Sequence, residues 1–281
     1  MKNLTKKSIV VSTYNRAELL EKCLESIISA QGFEEYKLII LHQIGSKEVE
    51  LVLERYKNQI DFLCRVDGRN KTPLHNINWN RYATYSVAFD LYSSDFVLGI
   101  EDDTVIAMDA LQFCDYAFEK FKNKRNFKGI NLGSLESPQL NGSNTYSRIR
   151  YGLHGQAGVI TKNVWNSFSS RGIPRNLATE PLDAMLEARL KTGYMVTSNR
   201  SRFLDFGWGG THAPKSPTDS YYQRLQNSWV GSENSSLNFI EAPIVHTWRE
   251  DSVLFSRRAT FMARLRFMKY SLKIWLSKVK N

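Results

Sequence analysis

Three consecutive carboxylates, Glu101, Asp102 and Asp103, follow the apolar run Phe96-Val97-Leu98-Gly99-Ile100. Like charges held this close repel one another, so something must compensate them. A hard divalent cation, Mn2+ or Mg2+, takes oxygen ligands and can bridge to a substrate phosphate. A second stretch, Ser12-Thr13-Tyr14-Asn15-Arg16, follows the first apolar run and offers a ring for a base and a guanidinium for a phosphate. Taken alone, it equally fits an ordinary turn with Tyr14 packed on a sheet edge. Asp183 stands two residues behind Pro181 at the start of a helical pattern, where spacing alone fits an acid complementing a helix amino terminus. His246 follows Ile244-Val245 and has the chemistry of a metal or phosphate ligand, although a lone histidine is more often structural.

The elements that must position these residues follow from hydrophobic spacing. Residues 8–12 read as a strand and 17–30 as a helix with Leu20, Leu24, Ile27 and Ile28 on one face. A second strand is predicted over 36–41, a helix over 47–58 and a shorter strand over 62–66. Residues 67–80, rich in Asn with Gly68 and Pro73, read as a loop, and 82–92 as a helix. The run before the triplet predicts a strand buried on both faces, as in a parallel sheet, with a helical pattern directly after it. Ligands of such sheets sit just outside the carboxyl ends of the strands. Farther on, 127–132 reads as a strand, 133–147 as a polar loop, 180–190 as a helix and 194–196 as a strand. Gly152, Gly155 and Gly158 allow close backbone approach to a ligand or mark a strand-end bend. The polar stretch 208–235 reads as a lid over a substrate or as a plain surface loop.

Composition narrows the choice. With 281 residues, 42% hydrophobic and 12% aromatic, the chain is a folded body of one large α/β domain or two small ones. No apolar run is long enough to span a membrane, and no cleavage signal is read at the amino terminus. Cys23, Cys64 and Cys114 are widely spaced and read as packing thiols of a reducing compartment. Residues 252–281 hold eight basic and no acidic side chains, so all but two of the ten net positive charges lie there. The body is nearly neutral, which argues against nucleic-acid binding. In the tail, Phe261, Leu265, Met268, Leu272, Trp275 and Val279 recur at helical spacing, with Arg266, Lys269, Lys273 and Lys280 largely opposite. This basic amphipathic helix suits an anionic membrane surface or a helix docked on the body. The predicted division is a domain at 1–250 and a tail at 251–281.

The opening Ile9-Val10-Val11-Ser12-Thr13-Tyr14-Asn15-Arg16, a second strand and the acidic triplet resemble a GT-A glycosyltransferase of the large inverting family that builds bacterial polysaccharides. The triplet Glu101-Asp102-Asp103, the glycine stretch 151–160 and Ser201-Arg202…Phe206-Gly207 look more like the N-acetylglucosaminyltransferase I family. The resemblance implies an α/β, Rossmann-like GT-A fold with a mixed, mostly parallel sheet flanked by helices. It implies a metal-dependent, inverting transfer from a nucleoside-diphosphate sugar, with UDP the first expectation, to a glycan or lipid-linked acceptor in surface polysaccharide synthesis. Asp103, Asp102 and His246 would hold the metal. Ser12, Tyr14, Arg16, Gln43, Glu101 and Asp102 would bind the donor, and Asp183 falls on the family's base. Both families usually carry an acid after the second strand; here His42-Gln43-Ile44-Gly45 stands there, which weakens the case for uridine. The eukaryotic relatives' amino-terminal membrane anchor is not read here, so the expected place is the cytoplasm, peripheral to the membrane. Two other classes stay open. A sugar-phosphate nucleotidyltransferase would have a glycine-rich loop where Ser12–Arg16 has none, and a membrane- or polyanion-binding module would need only the tail.

Overall fold

The computed structural model describes residues 4–68, 72–133, 145–149, 155–170, 193–208 and 220–230, with shorter pieces at 153, 172–174, 177, 179–183, 185–186, 216 and 240–241. The described strands are β1 (Lys7–Thr13), β2 (Tyr36–Gln43), β3 (Phe62–Val66), β4 (Phe96–Glu101), β5 (Thr104–Ile106), β6 (Phe127–Asn131), β7 (Thr145–Ile149), β8 (Ala157–Thr161), β9 (Tyr194–Ser198), β10 (Phe203–Asp205) and β11 (Ile240–Glu241). Nine of them form one sheet in the order β11-β7-β9-β6-β8-β4-β1-β2-β3, and β5 pairs with β10 in a separate ribbon. Strands β4, β1, β2 and β3 run parallel, whereas β8 runs antiparallel to both β4 and β6. This is the mixed, mostly parallel sheet that the sequence predicts. Helices α1 (Ala17–Ser29), α2 (Lys47–Arg55), α3 (Pro73–Ser86), α4 (Ala110–Phe121), α5 (Lys162–Ser169) and α6 (Ser220–Ser228) complete the described elements.

Two apolar layers hold the sheet. One joins Ile9, Val11, Leu38, Ile40, Leu98 and Ile100 to α1, α2 and α4; the other joins Val10, Ile39 and Val97 to α3 and to α5 with its Trp165. The alternation follows from the period-2 pleat of strands buried on both faces. The register between β1 and β4 sets their carboxyl ends side by side, with Ser12 opposite Glu101.

Three expectations need correction. Residues 73–80 are helical rather than loop: Thr72 caps α3 by accepting from His75 N at 3.3 Å, and Pro73 starts it. Asn78 and Asn80 are buried with partners. Asn78 Nδ2 donates to the Leu177 and Glu180 carbonyls at 2.8 Å each, and Asn78 Oδ1 accepts from Leu182 N at 2.9 Å. The helix predicted over 82–92 is present, as the end of α3 to Ser86 and a π-helix over Val87–Leu91. No helix follows the triplet at once, because β5 intervenes to pair with β10 and α4 begins only at Ala110. Within 208–235 a helix, α6, occupies Ser220–Ser228, its Tyr222 and Leu225 buried at 1% exposure each. Residues 242–281, including His246 and the basic tail, lie outside the described residues. No described helix is long and apolar enough to cross a membrane.

Candidate active site

The triplet straddles the end of β4. Glu101 is its last residue, and Asp102 and Asp103 form the turn into β5. Arg16, the residue before α1, reaches across from the end of β1. Its Nη1 pairs with Asp103 Oδ2 and lies 3.6 Å from Asp102 Oδ1. Asp102 and Asp103 are 9% and 4% exposed. Removing carboxylates from water disfavours their charged form. Burial therefore leads in lifting Asp102 to about 6, with Arg16 opposing it. Burial and then the Asp102 charge lift Asp103 to about 6, again against Arg16. Glu101 keeps 36% of its side chain exposed, yet desolvation still leads in raising it to about 7, opposed by Arg81 and reinforced by Asp103, Asp205 and Asp183.

Arg81 joins the triplet to the predicted base. From α3 its Nη1 donates to Glu101 Oε1 at 3.2 Å and its Nη2 to the Gly155 carbonyl at 2.6 Å. A Cβ on Gly155 would stand 2.9 Å from Asp183 Oδ2 and 3.4 Å from Arg81 Nη2, so the glycine lets the carboxylate and the guanidinium close in on one point. Asp183 thus lies across Arg81 from Glu101. Its place comes from the turn in which Met185 N donates to the Pro181 carbonyl, and that turn is held to α3 through Asn78.

The other predicted residues line the same strand ends. Ser12 stands beside Glu101 in the sheet. The Tyr14 ring, 47% exposed, lies over Gly45, where a Cβ would meet Tyr14 Cε2 at 2.8 Å. Gln43, ending β2, accepts from Asn80 Nδ2 at 3.3 Å and leaves its Nε2 3.1 Å from where a Cβ on Gly68 would stand.

Neither Asp205 nor Arg81 stands out in the sequence. Asp205 ends β10 opposite Thr104, and its Oδ1 accepts from Gly207 N at 2.7 Å. A Cβ on Gly207 would lie 2.3 Å from Asp103 Oδ2 and 3.0 Å from Asp205 Oδ1, so a fourth acid borders the triplet. An acid two residues before a glycine, Asp205-Phe206-Gly207, is the signal the sequence carries. Arg81 lay hidden at the edge of a segment with a loop-like composition.

The carboxylates fit a hard cation. Asp103 Oδ1 is buried without a hydrogen-bond partner, and the nearby donors are all oxygen. Among the described residues, no three His, Cys, Asp or Glu side chains are arranged to hold an ion by themselves. Among the described residues, Asp102 and Asp103 are the side chains that would contribute to such a site.

Residues 8–122 match the model of glycosyl transferase family 2. A comparison with curated protein sequences finds no match. Among solved structures, the fold is similar to Staphylococcus aureus TarS residues 1–349 in complex with UDP-GlcNAc, at a TM-score of 0.51 and 14% identity over 71% of this chain and 58% of that one. It is also similar to the mannosyltransferase PcManGT from Pyrobaculum calidifontis in complex with GDP-Man and Mn2+, at a TM-score of 0.50 and 13% identity over 70% of this chain and 56% of that one. The chain thus spans less than two thirds of either structure. The likeness shows the fold, a Rossmann-like GT-A sheet flanked by helices. The matched segment holds β1 through α4, and with them the triplet and Arg16; it ends before Asp183 and Asp205.

Proposed function

We propose that this protein is a metal-dependent, inverting glycosyltransferase that takes its sugar from a nucleoside diphosphate. The observation carrying the reading is the pairing of buried Asp102 and Asp103 with Arg16 at the adjoining ends of β1 and β4, inside the segment that matches the family. The proposed metal ligands are Asp103 and Asp102, with His246 a further candidate from outside the described residues. Bound there, Mn2+ or Mg2+ would supply Lewis-acid neutralisation of the diphosphate as it leaves. PcManGT, seen with GDP-Man and Mn2+, supports the choice of metal, and TarS, seen with UDP-GlcNAc, supports the class of donor.

The chain's own residues do the rest. Tyr14 offers its exposed ring to the base, Gln43 offers an amide to the base edge, and Ser12 and Arg16 serve the ribose–phosphate part. Glu101 and Asp102 face the ribose and the sugar. Asp183 takes the proton from the acceptor hydroxyl as that oxygen attacks the anomeric carbon. One base acting opposite the leaving group gives inversion, and no enzyme nucleophile is needed. Arg81 fixes the distance between Glu101 and Asp183 by bonding Glu101 and the Gly155 carbonyl that adjoins Asp183. The acceptor is a glycan or lipid-linked hydroxyl of a surface polysaccharide. The basic segment 251–281 brings the enzyme, from the cytoplasmic side, to an anionic membrane.

The test is a screen of UDP- and GDP-sugars with Mn2+ or Mg2+, following nucleotide release and product mass. Turnover with at least one donor, abolished by EDTA and restored by Mn2+, is expected. Metal-independent turnover would overturn the cation role. Product of retained anomeric configuration would overturn the single-base mechanism.

A further inference from the structure

Arg16 occupies the carboxylate site in an unusual way. Its backbone is fixed, since Leu20 N donates to the Arg16 carbonyl at 2.9 Å to begin α1. Its side chain does not cap that helix. It turns instead onto Asp103 and toward Asp102, and it stays 37% exposed while those two side chains are 5% and 12% exposed. Arg81, the other arginine nearby, is tied to Glu101 and to the Gly155 carbonyl. The guanidinium compensates the pair incompletely, because Asp103 Oδ1 keeps no partner.

We infer that Arg16 is the resident counter-charge of this carboxylate site. A divalent cation must displace it, and does so readily only when a nucleoside diphosphate gives the guanidinium another anion. The inference rests on the function proposed above. A cation and a guanidinium on the same two carboxylates repel each other, so occupancy by one disfavours the other. Leaving Asp103 without a replacement anion would strand a charged side chain next to a new cation. A diphosphate removes that obstacle, because a guanidinium pairs with phosphate through the same bidentate, charge-assisted hydrogen bonds it makes to a carboxylate. Only the side chain has to swing, about a backbone that α1 holds in place. Cation and nucleotide then bind with positive coupling, and linkage requires the coupling to be equal in both directions.

Mn2+ binding to the full-length protein tests this, read by electron paramagnetic resonance at pH 8, with and without saturating UDP or GDP and corrected for Mn2+ held by free nucleotide. Wild type is expected to bind Mn2+ about 10-fold more tightly with nucleotide, and nucleotide about 10-fold more tightly with Mn2+. Arg16→Gln is expected to bind Mn2+ alone about 10-fold more tightly than wild type, with nucleotide then adding less than about 3-fold. Equal Mn2+ affinity of wild type and a folded Arg16→Gln in the absence of nucleotide would overturn the inference. So would the absence of coupling in wild type, a measurement that stands even if Arg16→Gln fails to fold. Asp103→Asn separates the two readings. If Asp103→Asn abolishes Mn2+ binding to the nucleotide complex but wild type shows no coupling, only the role of Arg16 fails. If wild type binds no Mn2+ even with nucleotide, the metal site and the proposed function fail together.

Discussion

The two ends of β1 carry the same ingredients put to different uses. At its start Lys7, 8% exposed, pairs with Glu35 and lies 2.8 Å from Asp115 Oδ2. Tyr36 donates to the other Asp115 oxygen at 2.8 Å, and Lys7 sits 4.9 Å over the Tyr36 ring. Both Asp115 oxygens have partners. At the far end Arg16 also faces two carboxylates, but Asp103 Oδ1 has no partner and Asp205 and Glu101 add further negative charge. Matched charge and full hydrogen bonding make the first end a clamp. Excess carboxylate and an unpaired oxygen leave the second end uncompensated, and the proposed function makes it a receptor. A separate buried arginine–aspartate pair positions Asp205. Arg202 Nε and Nη2 reach Asp109 Oδ2 at 3.1 and 2.9 Å, with Arg202 wholly buried. The Arg202 backbone bonds Leu132 O and Ala107 N, which seats β10, and so Asp205, against the segment following the triplet.

Clamp and receptor should differ most in activity. Asp103→Asn should lower sugar-transfer turnover by about 10²–10³-fold. Asp115→Ala, assayed beside it for nucleotide release at a temperature where both variants are folded, should keep wild-type turnover. Loss of activity in both would erase the distinction between clamp and receptor. Asp183→Asn should cost about 10²-fold in turnover, the low end for a lost general base, while Mn2+ and nucleotide affinities stay as in wild type. Weakened nucleotide binding in that variant would move Asp183 from the acceptor side to the donor side.

Stability should show the reverse order. Asp115→Ala leaves Lys7 buried with one carboxylate fewer, and a thermal melt should report roughly 3 kcal/mol lost, a fall of about 6–12 °C in Tm. Asp103→Asn removes an excess charge and should melt within about 2 °C of wild type or above it. The smallest effect is in pH. Glu101 is held near 7, and Asp102 and Asp103 near 6, above their ordinary 4.5 and 3.8. Groups raised in the folded state contribute stability below their unfolded values and lose it as pH rises through the folded ones. Glu101→Gln should therefore melt slightly above wild type at pH 8, solvent screening of the one-third-exposed side chain keeping the gap small, and the gap should close by about pH 5. Lys7 is also raised, net of burial, by its bonds to Asp115 and Glu35. Its contribution is lost only as pH climbs beyond the ordinary lysine value of 10.5. A constant gap for Glu101→Gln across about pH 5–8 would mean that the receptor end holds no raised carboxyl at that position.

Much of the scaffold is legible in local pattern. The strands at 8–12, 36–41 and 127–132 stand where apolar runs lie between polar turns, since burial on both faces leaves a continuous apolar signal, and the half-buried edge strand at 62–66 keeps a shorter run. The acidic triplet is legible too, because three charges directly behind a buried strand demand a counter-charge or a ligand. Features that depend on partners distant along the chain are not. Asn78 looks like a loop residue until the Leu177 and Glu180 carbonyls and Leu182 N arrive to satisfy it. Asp205 is one more strand-end acid until β10 pairs with β5 and sets it beside Asp103. Arg81 becomes a link between Glu101 and Asp183 only once α3 lies across the end of β4. The parallel-strand frame, the carboxylate triplet at the end of β4 and the guanidinium after β1 are each written in contiguous residues, so the amino-acid order is enough to specify them. That this guanidinium rests on those carboxylates, and that one oxygen of Asp103 stays unpaired, is settled by packing alone. Charge pairing across 87 residues depends on strand register, not on local spacing.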